Sequence, residues 1–274
     1  MMGEGAGACP ANASIIHMRA GFVDGKSRWS GYAQNSVDAA GNVRYNRMQK
    51  KRKSGETMNI KAVIWDLDGT LLDTLTDLAA STNAALAQCG LPGRTKDEVR
   101  CFVGNGVRRL IERAVPPGTD EATVQRVYDA FVAHYGAHSR DTTRPYDGVM
   151  EMLDALLAQG IRLAIVSNKI DFAVRELSRT YFGDRMQVAV GDAPERRRKP
   201  APDSVLEAMR RMGVGREETV YVGDSDVDVL TARNAGVVCC AVSWGFRSEE
   251  SLREAGAEHI AATPQALLEA LRAL

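Results

Sequence analysis

The chain has 274 residues, with 35 lysines and arginines against 35 aspartates and glutamates, so its formal net charge is zero. A balanced chain has no overall positive field that would hold nucleic acid or an anionic membrane surface. Its longest apolar stretches, such as residues 237–242, are far shorter than the ~20 residues that span a bilayer. A small molecule is therefore the expected partner, with no nucleic acid and no membrane.

The cysteines and the absence of an apolar run of signal-peptide length bear on the compartment. The five cysteines form no Cys-x-x-Cys pair, and adjacent Cys239 and Cys240 would point to opposite faces of a strand. This pattern favours buried thiols in a reducing compartment over a disulfide framework. We expect a cytoplasmic protein that is a monomer or a homodimer.

Residues 1–57 lack hydrophobic periodicity, are rich in Gly, Asn, Ser and Arg, and end in a basic run at 50–53. We expect a disordered amino-terminal extension, with Met48 or Met58 as an alternative start of the translated chain. A targeting segment or a basic nucleic-acid tail is the rival interpretation, for which one four-residue basic cluster is weak evidence.

From residue 61 onward, strand-like and helix-like patterns alternate, which is typical of an α/β fold with a mostly parallel sheet. Each predicted strand is short, apolar and bounded by turn residues, as in central strands that helices cover on both faces. The strands are predicted at 61–67, 162–167, 187–190, 219–222 and 237–243, and helices at 148–159, 171–180, 204–212, 226–235 and 264–274. The fold class is therefore a doubly wound, Rossmann-like parallel sheet.

A long stretch without a convincing strand interrupts this alternation between residues 74 and 144. It is too long for a loop, and its periodicity predicts helices at 75–89, 96–102, 106–114 and 121–139. Inserted after the first strand, it would lie over the carboxyl ends of the sheet, where open α/β sheets bind ligands. We therefore predict an α/β core, residues 58–73 and 145–274, with an inserted α-helical cap, residues 74–144.

Acidic residues follow two of the predicted strands. Asp66 and Asp68 end the first strand, and Asp224, Asp226 and Asp228 follow the fourth. Parallel strands would bring both groups into one crevice, where like charges raise each other's pKa. A hard cation relieves this repulsion, and carboxylate-rich oxygen sites suit Mg²⁺. The alternative, acidic turns that only cap helices, explains one such acid well and two clusters poorly.

Two further strand ends carry groups that suit a phosphate. Ser167 and Asn168 follow the second predicted strand, and Lys199 follows the third. A hydroxyl and a lysine at neighbouring strand ends supply the hydrogen bond and the positive charge that a phosphoryl group needs. Singly these signals are weak, because Ser and Asn often cap helices and Lys199 closes a surface-like arginine run.

In this order, the four elements resemble the four motifs of haloacid dehalogenase superfamily phosphatases. The sequence Asp-Leu-Asp-Gly-Thr spans 66–70, Ser167 and Lys199 match the second and third motifs, and Gly-Asp-Ser-Asp-Val-Asp spans 223–228. The resemblance implies that Asp66 attacks phosphorus and forms an aspartyl-phosphate. It also implies that Asp68 is the general acid for the leaving alcohol and then the general base for water.

The resemblance further implies how the other motif residues bind their ligands. Mg²⁺ would be bound by the Asp66 carboxylate, the backbone carbonyl of Asp68 and Asp224, with Asp228 in support. The residues expected to contact the phosphoryl group are Thr70, Ser167, Asn168 and Lys199. Lys199 would also offset the charge of Asp66.

Strings at 71–74, 102–106, 144–149 and 244–247 are similar to those of phosphoglycolate phosphatases. The cap string places Asn105 between two glycines, where backbone N–H groups can approach a small anion. Arg108 or Arg109 is the expected cation for the substrate carboxylate. In the alternative interpretation, Arg108 and Arg109 are solvated helix residues and the string at 102–106 is a plain turn between helices. The expected reaction is the magnesium-dependent hydrolysis of 2-phosphoglycolate to glycolate and phosphate.

Other activities stay open at this point. Relatives with this architecture hydrolyse pyrophosphate or sugar phosphates, or isomerise sugar phosphates as phosphoglucomutases do, and the motifs alone do not separate these activities. A non-enzymatic alternative is a receiver-like domain, a switch that is phosphorylated on aspartate. Asp68, two residues after the expected nucleophile, and the long cap favour hydrolysis over a persistent phosphorylated form.

Overall fold

The computed structural model describes residues 58–274 and the backbone of two short strands nearer the amino terminus. These strands, β1 (Ser36–Val37) and β2 (Val43–Arg44), pair antiparallel. The predicted disorder of residues 1–57 concerns residues that, apart from these two strands, lie outside the described part of the chain.

A parallel sheet of six strands forms the centre of residues 58–274. The strands of this part are β3 (Ala62–Trp65), β4 (Leu72–Asp73), β5 (Arg144–Pro145), β6 (Arg162–Ile170), β7 (Val188–Asp192), β8 (Thr219–Gly223), β9 (Val238–Val242) and β10 (His259–Ala261). The order across the sheet is β10-β9-β8-β3-β6-β7, while β4 and β5 pair with each other. The chain therefore winds outward from β3 and then from β8 in the opposite direction. Open α/β sheets bind ligands in the crevice at such a reversal.

Helices connect these strands. They are α1 (Leu75–Gln88), α2 (Lys96–Phe102), α3 (Val107–Ala114), α4 (Glu121–His138), α5 (Val149–Ala158), α6 (Asp171–Phe182), α7 (Asp203–Met212), α8 (Asp226–Ala235), α9 (Glu249–Glu254) and α10 (Pro264–Ala273). The helices α1 to α4 lie between β4 and β5. No helix in the described residues is long and apolar enough to cross a membrane.

Strand β3 shows why the sheet needs helices on both faces. Val63 and Trp65 pack into a cluster with α5, α6 and α10, whereas Ala62 and Ile64 pack into a second cluster with α7 and α8. Successive side chains of a strand point to opposite faces, and all four of these are fully buried. Burial on both faces is what the short, wholly apolar strands of the sequence predict.

The helices α1 to α4 enclose a hydrophobic cluster of their own, which includes Leu86, Ile111 and Phe131. Phe246, from the loop after β9, belongs to the same cluster, so one buried side chain of the core packs among the hydrophobic residues of the cap. The antiparallel pair β4–β5 joins the points where the chain enters and leaves these helices. We keep the name cap for residues 74–144, and its boundaries as a domain stay a prediction.

The state of the cysteines differs in part from the expectation. Cys89, Cys239 and Cys240 carry free thiols, as predicted. Cys101, in α2, is disulfide-bonded, which corrects the expectation for this residue.

Asp77, in the first turn of α1, connects the beginning of the cap to its end. Its buried carboxylate accepts hydrogen bonds of 2.5 to 3.1 Å from the backbone N–H and the hydroxyl of both Thr142 and Thr143. Burial alone raises the pKa of Asp77, but these hydrogen bonds outweigh burial and hold the pKa below its ordinary value. Asp77 is therefore ionised at neutral pH and ties both ends of the cap together.

We expect Asp77→Ala to lower the free energy of unfolding by about 3 kcal/mol at pH 7, because several donors lose a charged acceptor at once. Since the folded-state pKa is depressed, this contribution is present above the ordinary pKa of aspartate and is lost as the pH falls through the folded-state pKa. Urea unfolding at neutral and acidic pH measures both effects. Asp97→Ala, at an exposed cap position, is the control, and an equally large loss in that variant would contradict the argument.

Candidate active site

Three of the predicted acids converge at the carboxyl ends of β3 and β8, which are neighbours in the sheet. The backbone N–H of Asp66 donates to the carbonyl of Val222 at 2.8 Å, so the end of β3 is held beside the end of β8. Asp66, Asp224 and Asp228 each place a carboxylate oxygen within 4.8 Å of the others. All three side chains are buried. The crevice between the two strands is thus strongly acidic.

The two oxygens of Asp66 differ in their surroundings. Oδ1 accepts a hydrogen bond from the backbone N–H of Leu67 at 2.7 Å and contacts Lys199 Nζ at 2.9 Å. Oδ2 receives no hydrogen bond from residues 58–274, and Asp66 lines a cleft between cap and core. Burial, opposed by Lys199, raises the pKa of Asp66 to about 7. One oxygen is therefore held in place and the other is available to a ligand.

Lys199 is the cation of this crevice. Its Nζ contacts Asp228 Oδ1 at 2.8 Å and the hydroxyl of Tyr221 at 3.0 Å in addition to Asp66. Burial alone lowers the pKa of Lys199, but Asp228 and Asp66 outweigh it and raise the pKa above its ordinary value. The ammonium group thus compensates two buried carboxylates. Tyr221, which also donates to Asp228 at 2.9 Å, is not among the residues predicted from the sequence.

Asp228 is saturated by hydrogen bonds. Its Oδ1 accepts from Lys199 and Tyr221, and its Oδ2 accepts from the backbone N–H of Ser225 at 3.1 Å and from the Ser225 hydroxyl at 2.5 Å. Asp228 is the third residue of α8, where a side chain can reach back to the residue that precedes the helix. Four donors on two oxygens leave little room for a cation. This geometry is compatible with a supporting role.

Asp224 is less occupied. Oδ1 accepts from the hydroxyl of Thr70 at 3.0 Å, and Oδ2 accepts from the backbone N–H of Phe246 at 2.7 Å. Burial, with Asp228 and Asp66 adding to it, raises the pKa of Asp224 to about 8. Gly69 has φ +84°, and a Cβ there would lie 2.3 Å from Asp224 Oδ2, so only glycine fits this approach. Thr70, predicted at the phosphoryl group, contacts Asp224 in this structure.

The end of β6 provides the second predicted motif. Ser167 is buried and lines the cleft. Asn168 also lines the cleft, but its side-chain amide forms hydrogen bonds with backbone groups. Nδ2 donates to the carbonyls of Gly104 and Lys199, both at 3.1 Å, and Oδ1 accepts from the Lys199 N–H at 2.8 Å. Asn168 therefore links the end of β6 to the cap and to the loop that carries Lys199, and its contact with a phosphoryl group stays a prediction.

Asp68 faces a lysine that is not among the predicted site residues. Lys169 Nζ lies 2.9 Å from Asp68 Oδ1 and 3.0 Å from Asp68 Oδ2, and it stands 4.6 Å from the centre of the Tyr135 ring in the cap. Burial alone lowers the pKa of Lys169, but Asp68 and Tyr135 outweigh it and raise the pKa above its ordinary value. The feature of the sequence that could have indicated Lys169 as a site residue is its position directly after Ser167 and Asn168.

The structure does not bring Arg108 to the cleft. Its guanidinium donates to Glu112 at 3.1 Å and to Gln125 at 2.8 Å, and it pairs with Glu121. Glu112 lies one helical turn further along α3 and Glu121 begins α4, so intramolecular carboxylates occupy this arginine. Asn105 lies between Gly104 and Gly106, which line the cleft, without lining it itself. The cap residues predicted to contact substrate find no support in this geometry.

The cleft between cap and core has a cavity volume of about 70 Å³. Its core side carries the polar groups of Asp66, Asp68, Ser167, Lys169 and Asp224. Its cap side is mostly apolar and includes Val107, Leu110, Phe131, Val132 and Tyr135. A mostly apolar wall facing a few convergent polar groups is typical of a small-molecule site.

The residues present fit a hard divalent cation such as Mg²⁺. Four carboxylates face two ammonium groups, so the ionised site holds two more negative than positive charges. The acids are Asp66, Asp68, Asp224 and Asp228, and the lysines are Lys169 and Lys199. The donors are oxygen atoms throughout, as Mg²⁺ prefers. One divalent cation balances the excess, and the raised pKa values of Asp66 and Asp224 are what such a cluster shows without it.

Comparisons with known proteins agree with this geometry. A model of the haloacid dehalogenase-like hydrolase family matches residues 63–242. The chain is 34% identical over 216 residues to N-acetylmuramic acid 6-phosphate phosphatase of Pseudomonas aeruginosa, covering 78% of this chain and 96% of that protein. It is 38% identical over 191 residues to phosphoglycolate phosphatase of Xylella fastidiosa, covering 69% and 83% of the two chains.

A solved structure from Lactobacillus delbrueckii subsp. bulgaricus, described as a phosphoglycolate phosphatase, superposes with a TM-score of 0.75 and 34% identity. The alignment covers 79% of this chain and 100% of that one. These relatives confirm the predicted fold class and the predicted enzyme class, a phosphoric monoester hydrolase. The chain belongs to the haloacid dehalogenase-like hydrolase family and is similar to its phosphoglycolate phosphatases.

Proposed function

We propose that the chain is a Mg²⁺-dependent phosphatase that hydrolyses a small phosphate monoester through an aspartyl-phosphate on Asp66. The observation that supports this proposal most is the asymmetry of Asp66. Two donors hold its Oδ1, while Oδ2 receives no hydrogen bond from residues 58–274 at the wall of the cleft. A carboxylate oriented in this way is suited to attack on phosphorus.

In the first half-reaction, Asp66 Oδ2 forms a bond to phosphorus as the bond to the ester oxygen breaks. In this proposal, Lys199 and the Ser167 hydroxyl contact the phosphoryl oxygens and stabilise the charge that develops there. Bound Mg²⁺ would supply further neutralisation of that charge, and Asp66, Asp224 and the backbone carbonyl of Asp68 would hold it.

Asp68 is the proposed proton carrier. It gives a proton to the ester oxygen as the alcohol leaves, and it then accepts a proton from the water that attacks the aspartyl-phosphate. Phosphate is released and Asp66 is restored. This role requires Asp68 to exchange its present contact with Lys169 for contacts to the leaving group and to water.

For the substrate, we propose 2-phosphoglycolate first. Phosphoglycolate phosphatases are among the relatives, as is a phosphatase named for N-acetylmuramic acid 6-phosphate. The apolar cap side of the cleft, with Phe131 and Tyr135, makes a sugar phosphate the second candidate, because sugars present apolar faces that pack on aromatic rings. The monomer or homodimer state and the cytoplasmic location stay predictions.

Phosphate release from a panel of esters tests this function. The panel contains 2-phosphoglycolate, sugar 6-phosphates and pyrophosphate, each with Mg²⁺ and with EDTA. We expect Mg²⁺-dependent turnover that is fastest on 2-phosphoglycolate, and its loss in EDTA. A different best substrate contradicts only the substrate assignment, whereas undiminished turnover in EDTA contradicts the metal. A phosphorylated form that persists without turnover would favour the receiver-like alternative.

A further inference from the structure

Lys169 is a buried cation of the cleft to which the proposed mechanism assigns no step. Its side chain is 5% exposed, and its ammonium group contacts both oxygens of Asp68. Tyr135 of the cap covers it from the other side, with Nζ 4.6 Å from the ring centre. The ammonium therefore lies where core and cap meet, on the wall of the cleft.

The hydroxyl of Tyr135 is a second unused group at this place. Tyr135 lines the cleft, and its buried hydroxyl, which lies beside the Lys169 ammonium group, donates to no acceptor among residues 58–274. A buried hydroxyl hydrogen without an acceptor costs stability, so an acceptor brought in by a ligand would remove that cost. Burial raises the pKa of Tyr135 to about 12, so the hydroxyl keeps its proton at neutral pH. Lys169 and Tyr135 together present positive charge and a hydrogen-bond donor.

Other cations near the cleft are less available to a substrate. Arg247 donates to the cap carbonyls of Arg100 at 2.9 Å and Val103 at 2.8 Å, so its guanidinium is used to hold the cap. Lys199 is shared by two buried carboxylates and Tyr221. Lys169 differs because its anionic partner, Asp68, must itself change contacts to reach the leaving oxygen.

Release of Asp68 has a consequence for Lys169. Apolar residues such as Leu110 and Phe131 form the cap side of the cleft. An ammonium group left there without an anion would be unfavourable, so a new anion has to replace the carboxylate of Asp68. Because Asp68 contacts the leaving oxygen in the proposed reaction, that anion would stand on the leaving group, close to the ester oxygen.

We propose that Lys169 and Tyr135 determine specificity by binding a carboxylate on the leaving group, next to the ester oxygen. The substrate class is then the phosphate monoesters of hydroxycarboxylic acids, of which 2-phosphoglycolate is a small member. This inference rests on the proposed function, and it replaces Arg108 as the expected cation for the substrate carboxylate.

A comparison of two ligands of the same shape tests the inference. We measure kcat/KM for 2-phosphoglycolate and for its neutral amide, phosphoglycolamide, in the wild type and in Lys169→Met. The wild type is expected to prefer the charged ester by about 10-fold to 100-fold, as a charge-assisted contact provides. Lys169→Met should lose that preference mainly through slower turnover of the charged ester. Lys96→Met, an exposed cap lysine that donates to Thr76, is the matched control and should keep the preference.

Two further variants separate binding from folding. Tyr135→Phe removes only the hydroxyl and should reduce the preference by about 3-fold to 10-fold. Lys169→Arg should restore part of what Lys169→Met loses. If Lys169→Met does not fold, the preference measured in Tyr135→Phe still tests whether this pair binds the carboxylate. An undiminished preference in Lys169→Met or in Tyr135→Phe, or an equal loss on both esters in either variant, would overturn the proposal.

Calorimetric binding of the same two ligands to Asp66→Asn, with and without Lys169→Met, gives a readout that needs no turnover. A wild type that hydrolyses neither ester refutes the proposed function, while the binding preference still tests Lys169. Tighter binding of the charged ester that disappears with Lys169→Met supports the inference. Equal binding of the two ligands to Asp66→Asn overturns it.

Discussion

Replacement of Asp66 by asparagine is expected to reduce phosphate release by about 10⁴-fold or more, while the protein stays folded. An amide has nearly the shape of the carboxylate but cannot serve as the attacking nucleophile, and loss of a nucleophile commonly has effects of this size. The acceptor for the Leu67 N–H is kept in this variant, because the amide oxygen can occupy the position of Oδ1.

Steady-state phosphate release, together with mass spectrometry of rapidly quenched protein, measures this prediction. The wild type should show a transient phosphorylated form during turnover, and Asp66→Asn should show none. Asp184→Asn, at an exposed position of the core, is the matched control with unchanged activity. Turnover that survives in Asp66→Asn would remove this residue as the nucleophile.

Replacement of Lys199 by methionine is expected to reduce both stability and activity. Lys199 is buried and contacts Asp66 and Asp228, which are buried as well. Removal of the cation leaves these carboxylates without compensation, and breaking a buried ion pair in this way costs about 3–5 kcal/mol of unfolding free energy. Turnover should fall by about 10²-fold to 10³-fold, because the phosphoryl oxygens also lose a charged donor.

Urea unfolding with and without Mg²⁺ tests this second prediction. The loss of stability in Lys199→Met should shrink when Mg²⁺ is added, since a cation held by Asp66 and Asp224 would neutralise part of the same charge. Lys61→Met removes an exposed lysine that pairs with Glu218 and should change stability by only about 0–1 kcal/mol. Equal losses in the two variants, or a Lys199→Met loss that is unaffected by Mg²⁺, would contradict this account.

Much of the fold follows from local patterns. The cap helix predicted at 96–102 is observed as Lys96–Phe102, and the core helix predicted at 226–235 is observed as Asp226–Ala235. Helical periodicity, capping residues and short apolar runs are properties of residues close together in the chain, so they can be recognised in the sequence. The sequence does not predict the pair β4–β5 or the elements α9 and β10, because two, six and three residues carry too little pattern.

The sequence by itself also determined that the acids of two motifs meet. Asp66 and Asp224 each follow an apolar strand, and the carboxyl ends of parallel strands lie at one edge of a sheet. It did not determine the partners of the charged side chains. Asp68 and Lys169 are 101 residues apart, and Arg108 pairs not only with Glu112 on its own helix but also with Glu121, which only the packing of α3 against α4 brings near. Spacing along a chain places a side chain on a face, but its partner depends on which surfaces pack together, and that is decided by the tertiary structure.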